Sequence, residues 1–239
     1  TSSRSAPPST SLQAAFDAPQ TRIPVTFRQS ATDAGNHLRL DLGAAYIQDQ
    51  IAISRYIQVI AGVRFDRFGL HYFNDRNGEA LARTDRLVSP RLGVVIKPRE
   101  AISLYGSYGV SYLPSSGDQF SSLTSVTQQV KPEKFTNYEA GVKWDIRRGL
   151  FLTAAAYRLD RTNTRSTDPN DPSRIIQTGS QRTDGFELGI AGNISQKWSM
   201  SGGYAYQNAR ITSATTAAAA GKQVGQVPHN TISLWNKYA

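Results

Sequence analysis

Between residues 38 and 53 the chain alternates. Leu38, Leu40, Leu42, Ala44 and Tyr46 fall on one side of an extended strand and Arg39, Asp41, Gly43 and Ala45 on the other. Residues 57–66 repeat the period, with Ile57, Val59, Ala61, Val63 and Phe65 opposite Gln58, Ile60, Gly62, Arg64 and Asp66. Residues 135–146 repeat it most cleanly: Thr136, Tyr138, Ala140, Val142, Trp144 and Ile146 face away from Phe135, Asn137, Glu139, Gly141, Lys143 and Asp145. The pattern predicts about nine strands, over 38–53, 56–73, 86–97, 101–112, 133–146, 150–162, 176–193, 197–211 and 228–239.

Connection lengths discriminate between folds that share this alternation. Ser54–Arg55, Lys97–Glu100, Arg147–Gly149 and Ile194–Gln196 are tight turns, whereas 74–85, 113–132, 163–175 and 212–227 are long, so that short and long alternate throughout. Antiparallel neighbours joined in this way carry every turn at one end and every loop at the other. That is the asymmetry of an outer-membrane barrel, and a soluble sandwich has no reason for it. The expected fold is therefore all-β, an antiparallel transmembrane β-barrel segment spanning 38–239. Residues 1–37, rich in Ser, Thr, Ala and Pro, are expected to be a partial extracellular loop or a disordered segment. The reading that begins at Thr1 and stops at Ala239 inside a strand leads to the expectation of a piece of a longer chain. Tyr46, Tyr138, Trp144, Tyr157, Trp198, Tyr204, Tyr206 and Tyr238 are expected in aromatic girdles on the lipid face. Arg39, Asp41, Arg64, Asp66, Arg91, Glu139, Lys143 and Glu187 are expected to face the interior.

Composition removes several alternatives. The chain has 239 residues and no Cys, which leaves no disulfide scaffold and no thiolate nucleophile, and its three His offer little for a zinc enzyme. A mean hydropathy of -0.42 goes with the lack of any apolar run long enough for a spanning helix, which does not bear on strands. The net charge of +9 is spread along the chain with no nucleic-acid-binding module. No Walker loop, nucleophile elbow or His-Glu-x-x-His is present, and a hydrolase built on Ser111 or Ser115 with His71 lacks any further support. Asp168, Asn170 and Asp171 read as a turn, not a calcium loop. No catalytic, cofactor-binding or metal-binding residue is therefore expected.

Among the 27 basic residues Arg far outnumbers Lys, and Arg binds anionic oxygens through a rigid fork. Arg76, Arg83 and Arg86 flank one long loop; Arg161, Arg165, Arg174 and Arg182 flank another. An electropositive vestibule is one reading of these groups, and contact with lipopolysaccharide phosphates or wall ion pairs is the other. Arg161, Arg165 and Arg174 are the candidate ligand-binding residues.

The motifs carry a resemblance. Tyr46-Ile-Gln-Asp-Gln50, Gly62-Val-Arg-Phe-Asp66, Ser89-Pro-Arg-Leu-Gly93, Tyr105-Gly-Ser-Tyr108 and Leu113-Pro-Ser-Ser-Gly-Asp-Gln-Phe120 stand in that order. Lys131-Pro-Glu133, Asn137-Tyr-Glu-Ala-Gly-Val-Lys143, Leu159-Asp-Arg-Thr-Asn163, Gln181-Arg-Thr-Asp-Gly-Phe-Glu187, Val227-Pro228 and Leu234-Trp235 follow. Over residues 40–239 this resembles the barrel of TonB-dependent siderophore receptors, nearest to the catecholate-type branch. The resemblance implies a barrel of roughly 22 strands, of which this chain supplies about nine, with the N-terminal plug and the C-terminal strands absent from it. It also implies a ferric siderophore as transported ligand, energy from TonB with ExbB and ExbD acting through the plug, and an outer membrane with its lipopolysaccharide and lipid as surroundings. A passive porin or sugar channel is the alternative.

Overall fold

The period-two pattern pairs into a single antiparallel sheet because each apolar side needs a continuous face and each backbone N–H a partner on the next strand. The computed structural model describes residues 35–114, 128, 131–167, 175–213 and 219–238. Its strands are β1 (Asn36–Ala52), β2 (Ile57–Asn74), β3 (Ala80–Arg99), β4 (Ile102–Leu113), β5 (Glu133–Arg147), β6 (Leu150–Thr167), β7 (Ile175–Asn193), β8 (Trp198–Ile211) and β9 (Asn230–Tyr238). They form one nine-stranded meander in sequence order, as the alternation predicts, with β1 and β9 at its edges.

Two strands, β3 and β6, run well past their predicted ends. β3 begins at Ala80, so the expected long loop 74–85 shrinks to 75–79, closed by Gly78 N–H donating to Asn74 O (2.9 Å) and by Asn74 N–H donating to Glu79 O (2.9 Å). The regular alternation of short and long connections therefore breaks at the second one. Side-chain packing explains the extension, since Leu81, Arg83, Asp85 and Leu87 pair with Tyr72, Leu70, Phe68 and Asp66 and carry the ladder upward. The sheet's main buried cluster lies there, Phe68 and Leu70 packed by Leu38, Tyr72 and Leu81. β6 likewise continues past Thr162 through a bulge in which Asn163 takes a φ of 60°.

Residues directly opposite in an antiparallel ladder share a face, so the register assigns every side. Tyr46, Arg64 and Ser89 lie on one face, which continues through Arg91, Gly109, Asn137, Leu159, Thr183 and Ala209. This face is concave: it borders an open trough of about 1190 Å³ lined in part by Arg64, Asp66, Arg91, Tyr105, Glu139 and Lys143. The convex face carries Val63, Phe65, Val88, Leu92, Trp144, Phe186, Leu188, Ile232 and Leu234, all exposed and without a second layer over them among the described residues. Apolar area left in water loses about 25 cal/mol per Å², so a face of this extent calls for an apolar cover.

The register corrects four expectations. Tyr46 lies opposite Arg64 and Tyr157 opposite Glu139, so both rings belong to the concave face and not to a lipid-side girdle. Arg39 and Asp41 pair with His71 and Gly69, on the convex face rather than inside. Tyr138, Trp144, Trp198, Tyr204, Tyr206 and Tyr238 are convex, as expected, and Tyr108 and Phe186 join them through ring contacts of 5.2 Å to Tyr138 and 5.7 Å to Tyr204.

Candidate functional site

Several polar side chains on the concave face engage one another. Tyr105 donates from its hydroxyl to Glu139 Oε1 (2.6 Å), and Lys143 Nζ stands 5.6 Å from the Tyr105 ring centroid. Arg64 directs its fork at Asp66 (2.7 Å). The Tyr105 ring lies across Gly141, and the Tyr157 ring across Gly185. A Cβ at either glycine would come within 2.7 Å of the ring, so the missing side chain is what allows each tyrosine to lie flat along the wall. The sequence reading missed Tyr105 and Tyr157 as wall residues. Their parity relative to Glu139 was the available signal, since Ser107 and Tyr157 flank that carboxylate in register.

At the end of the sheet that carries the longer connections, one ion pair is withdrawn from solvent and a second is half-buried. Arg83 meets Asp85 at 2.7 Å, with both side chains at least nine-tenths covered, and its Nη1 donates to Gln128 O (2.7 Å). Gln128 in turn donates from Nε2 to Ala82 O (2.6 Å). These two bonds cap a stretch of β3 that β4 does not reach, because the β3–β4 ladder begins at Arg91. Across the sheet, Arg161 donates from Nη2 (2.6 Å) and Nε (2.9 Å) to the buried carboxylate of Glu133, and its guanidinium lies 5.5 Å from the Phe135 ring centroid.

The predicted arginine groups therefore separate. Arg161 lies on the concave face near the loop end, opposite Phe135, and is neutralised by Glu133. Arg165 belongs to β6, in register with Gln177, rather than to a loop. Arg174 lies outside the described residues, as does the Asp168–Pro172 turn. Arg76 sits in the 75–79 turn. Arg182 is convex and pairs with Asp160 at 2.7 Å, and Arg86 is convex and exposed. His37 contacts Asp75 (3.2 Å), and the His229 ring stacks against Tyr206 with centroids 6.2 Å apart. Among the described residues no group of three or more His, Asp or Glu could hold a metal ion. The concave wall presents paired charges and hydroxyls suited to a polar, water-filled interior.

Comparison with known proteins extends this geometry. The family model "TonB dependent receptor-like, beta-barrel" matches residues 5–239. The probable TonB-dependent receptor BfrD of Bordetella pertussis is 32% identical over 92% of this chain and 31% of its own length. The probable TonB-dependent siderophore receptor PiuA of Acinetobacter baumannii is 31% identical over 82% of this chain and 29% of its own. The crystal structure of PiuA superposes with a TM-score of 0.74 at 29% identity, covering 85% of this chain and 32% of that one. The ferric-catecholate import receptor Fiu of Escherichia coli K12 superposes with a TM-score of 0.72 at 26% identity, covering 85% of this chain and 32% of that one. The chain thus spans about three tenths of the length of the curated relatives it matches.

Proposed function

The chain belongs to the TonB-dependent receptor family, and from that premise we propose that it builds part of the barrel wall of an outer-membrane importer of ferric siderophores, catecholates in particular. Homologous receptors of the family are transporters, not enzymes. The observation that carries the reading is the division of one single-layer sheet into an uncovered apolar convex face and a charged concave face, which suits a wall between lipid and a polar lumen. PiuA is named as a siderophore receptor and Fiu as a ferric-catecholate import receptor, and the proposed ligand class is drawn from those names. TonB, with ExbB and ExbD, would energise the full-length receptor; lipopolysaccharide and outer-membrane lipid would surround the convex face in a Gram-negative bacterium.

Arg161, Arg165 and Arg174 are proposed to lend positive charge to the loop end, where an anionic ferric chelate arrives. Support for this is their sequence proximity and the concave position of Arg161, while its pairing with Glu133 reduces what that residue alone can offer. The full-length protein in detergent is to be titrated with a ferric catecholate, a ferric hydroxamate and a maltooligosaccharide, followed by tryptophan fluorescence. Saturable quenching by the catecholate at the lowest concentration is expected. Binding of the maltooligosaccharide alone would replace the proposal with a sugar channel.

A further inference from the structure

Arg67 and Arg86 stand directly opposite each other on the convex face, one outward position above the apolar band. Below Arg67 the convex residues of β2 are Phe65, Val63, Ala61, Val59 and Ile57; below Arg86 those of β3 are Val88, Pro90, Leu92, Val94 and Ile96. At ~3.4 Å per residue and a tilt of ~40°, Ile57 to Phe65 spans roughly 21 Å of bilayer normal, and the next outward residue lies at roughly 26 Å. An apolar band of about 25 Å puts the two guanidinium groups at the level of lipid headgroups.

Like charges directly opposite in a sheet repel, and a second such pair on this face, Arg182 and Arg210, is relieved by neighbours: Arg182 holds Asp160, and Arg210 donates to Asn208 Oδ1 (3.0 Å) and Gly221 O (3.1 Å). Arg158 meets Asp184 and Arg182 meets Asp160, each at 2.7 Å, and Arg39 holds Asp41 at 3.2 Å. Asp41, the diagonal neighbour of Arg67, is thereby already engaged. Arg67 and Arg86 are both exposed, and neither makes an ion pair among the described residues. Their row continues to Gly43, where an added Cβ would meet nothing within 4 Å, so the floor beside Arg67 is open.

We propose that Arg67 and Arg86 together bind the phosphate of an outer-leaflet lipid, whose acyl chains run down over Phe65 and Val88. Two guanidinium forks converging on one phosphate replace the repulsion with charge-assisted hydrogen bonds, and the open position at Gly43 admits the headgroup. The inference rests on the reading of the convex face as the lipid face.

The test uses the full-length receptor in detergent, probed by native mass spectrometry with bisphosphorylated lipid A, the same lipid after dephosphorylation, and inorganic phosphate. The wild type is expected to retain one phosphorylated lipid that neither other probe replaces. Arg67→Gln with Arg86→Gln is expected to weaken retention roughly tenfold or more, while Arg158→Gln leaves it unchanged. Arg67→Lys with Arg86→Lys keeps the charge and is expected to fall between, which guards against a misfolded Gln pair. Equal retention by wild type and the Gln pair, or equal retention of the dephosphorylated lipid, would overturn the proposal, and displacement by inorganic phosphate would reassign the site to a soluble anion. A nitroxide at position 63, reached by oxygen but not by an aqueous nickel chelate, reports the lipid face separately; its failure would strike the underlying reading and not this pair alone.

Discussion

Leu42 and Leu92 are the same residue type at similar exposure, 62% and 52%, on opposite faces of the sheet. Leu92 sits midway along the convex run from Val88 to Ile96, so its side chain meets the bilayer near the midplane. Arg at such a depth costs about 2 to 4 kcal/mol. Leu42 pairs with Phe68 on the concave face, where Arg reaches water and loses only a partly exposed leucine contact, at about 0.5 to 1 kcal/mol. Urea unfolding of the full-length protein in lipid vesicles, followed by tryptophan fluorescence and by heat-modifiable gel migration, measures both. With m near 1 to 3 kcal/mol per M, Leu92→Arg is expected to lower the midpoint by roughly 1 M or more and Leu42→Arg by well under that. Equal shifts, or a larger one for Leu42→Arg, would refute the face assignment and with it the β1–β2 register.

Further outcomes follow from named contacts. Arg83→Met leaves Asp85 buried without its cation and is expected to cost about 3 to 5 kcal/mol in thermal or urea unfolding, with much of it recovered when Asp85→Leu is added. Gly185→Ala brings a Cβ to 2.6 Å from the Tyr157 ring and 2.7 Å from the Tyr206 carbonyl oxygen, so a loss of about 1 to 3 kcal/mol is expected, whereas Gly43→Ala, facing open space, should change stability by less than ~0.5 kcal/mol. Replacing Arg161, Arg165 and Arg174 together with Gln is expected to weaken ferric-catecholate binding in the fluorescence titration; unchanged affinity in a correctly folded variant would remove these residues from the ligand site.

Alternation alone was enough to predict β5, where Thr136 to Ile146 are apolar or aromatic nearly throughout and Phe135 to Asp145 carry the charge, and the structure assigns those faces as expected. Strand number, meander order and the polar-against-apolar division were legible for the same local reason: successive side chains point to opposite sides of a strand. The family resemblance was legible too, in the ordered motifs of residues 40–239.

What the sequence could not decide is which of its two faces β1 turns toward lipid. Its strongest apolar run, Leu38 to Leu42, becomes concave because Leu42 pairs with Phe68 and Tyr46 with Arg64, while Ala45, Ile47 and Ile51 supply the convex side lower down. The strand is long enough to cross the apolar band and project beyond it, so its apolar side changes along its length, and no single period describes both halves. A register one residue away would invert every position, and only the ladder with β2 selects between the two. The same holds at Arg161 and Arg182: one strand's parity joins Arg161 to a buried Glu133 within the wall, and the next strand's sends Arg182 to the lipid side beside Asp160, a separation that sequence proximity to one loop could not reveal.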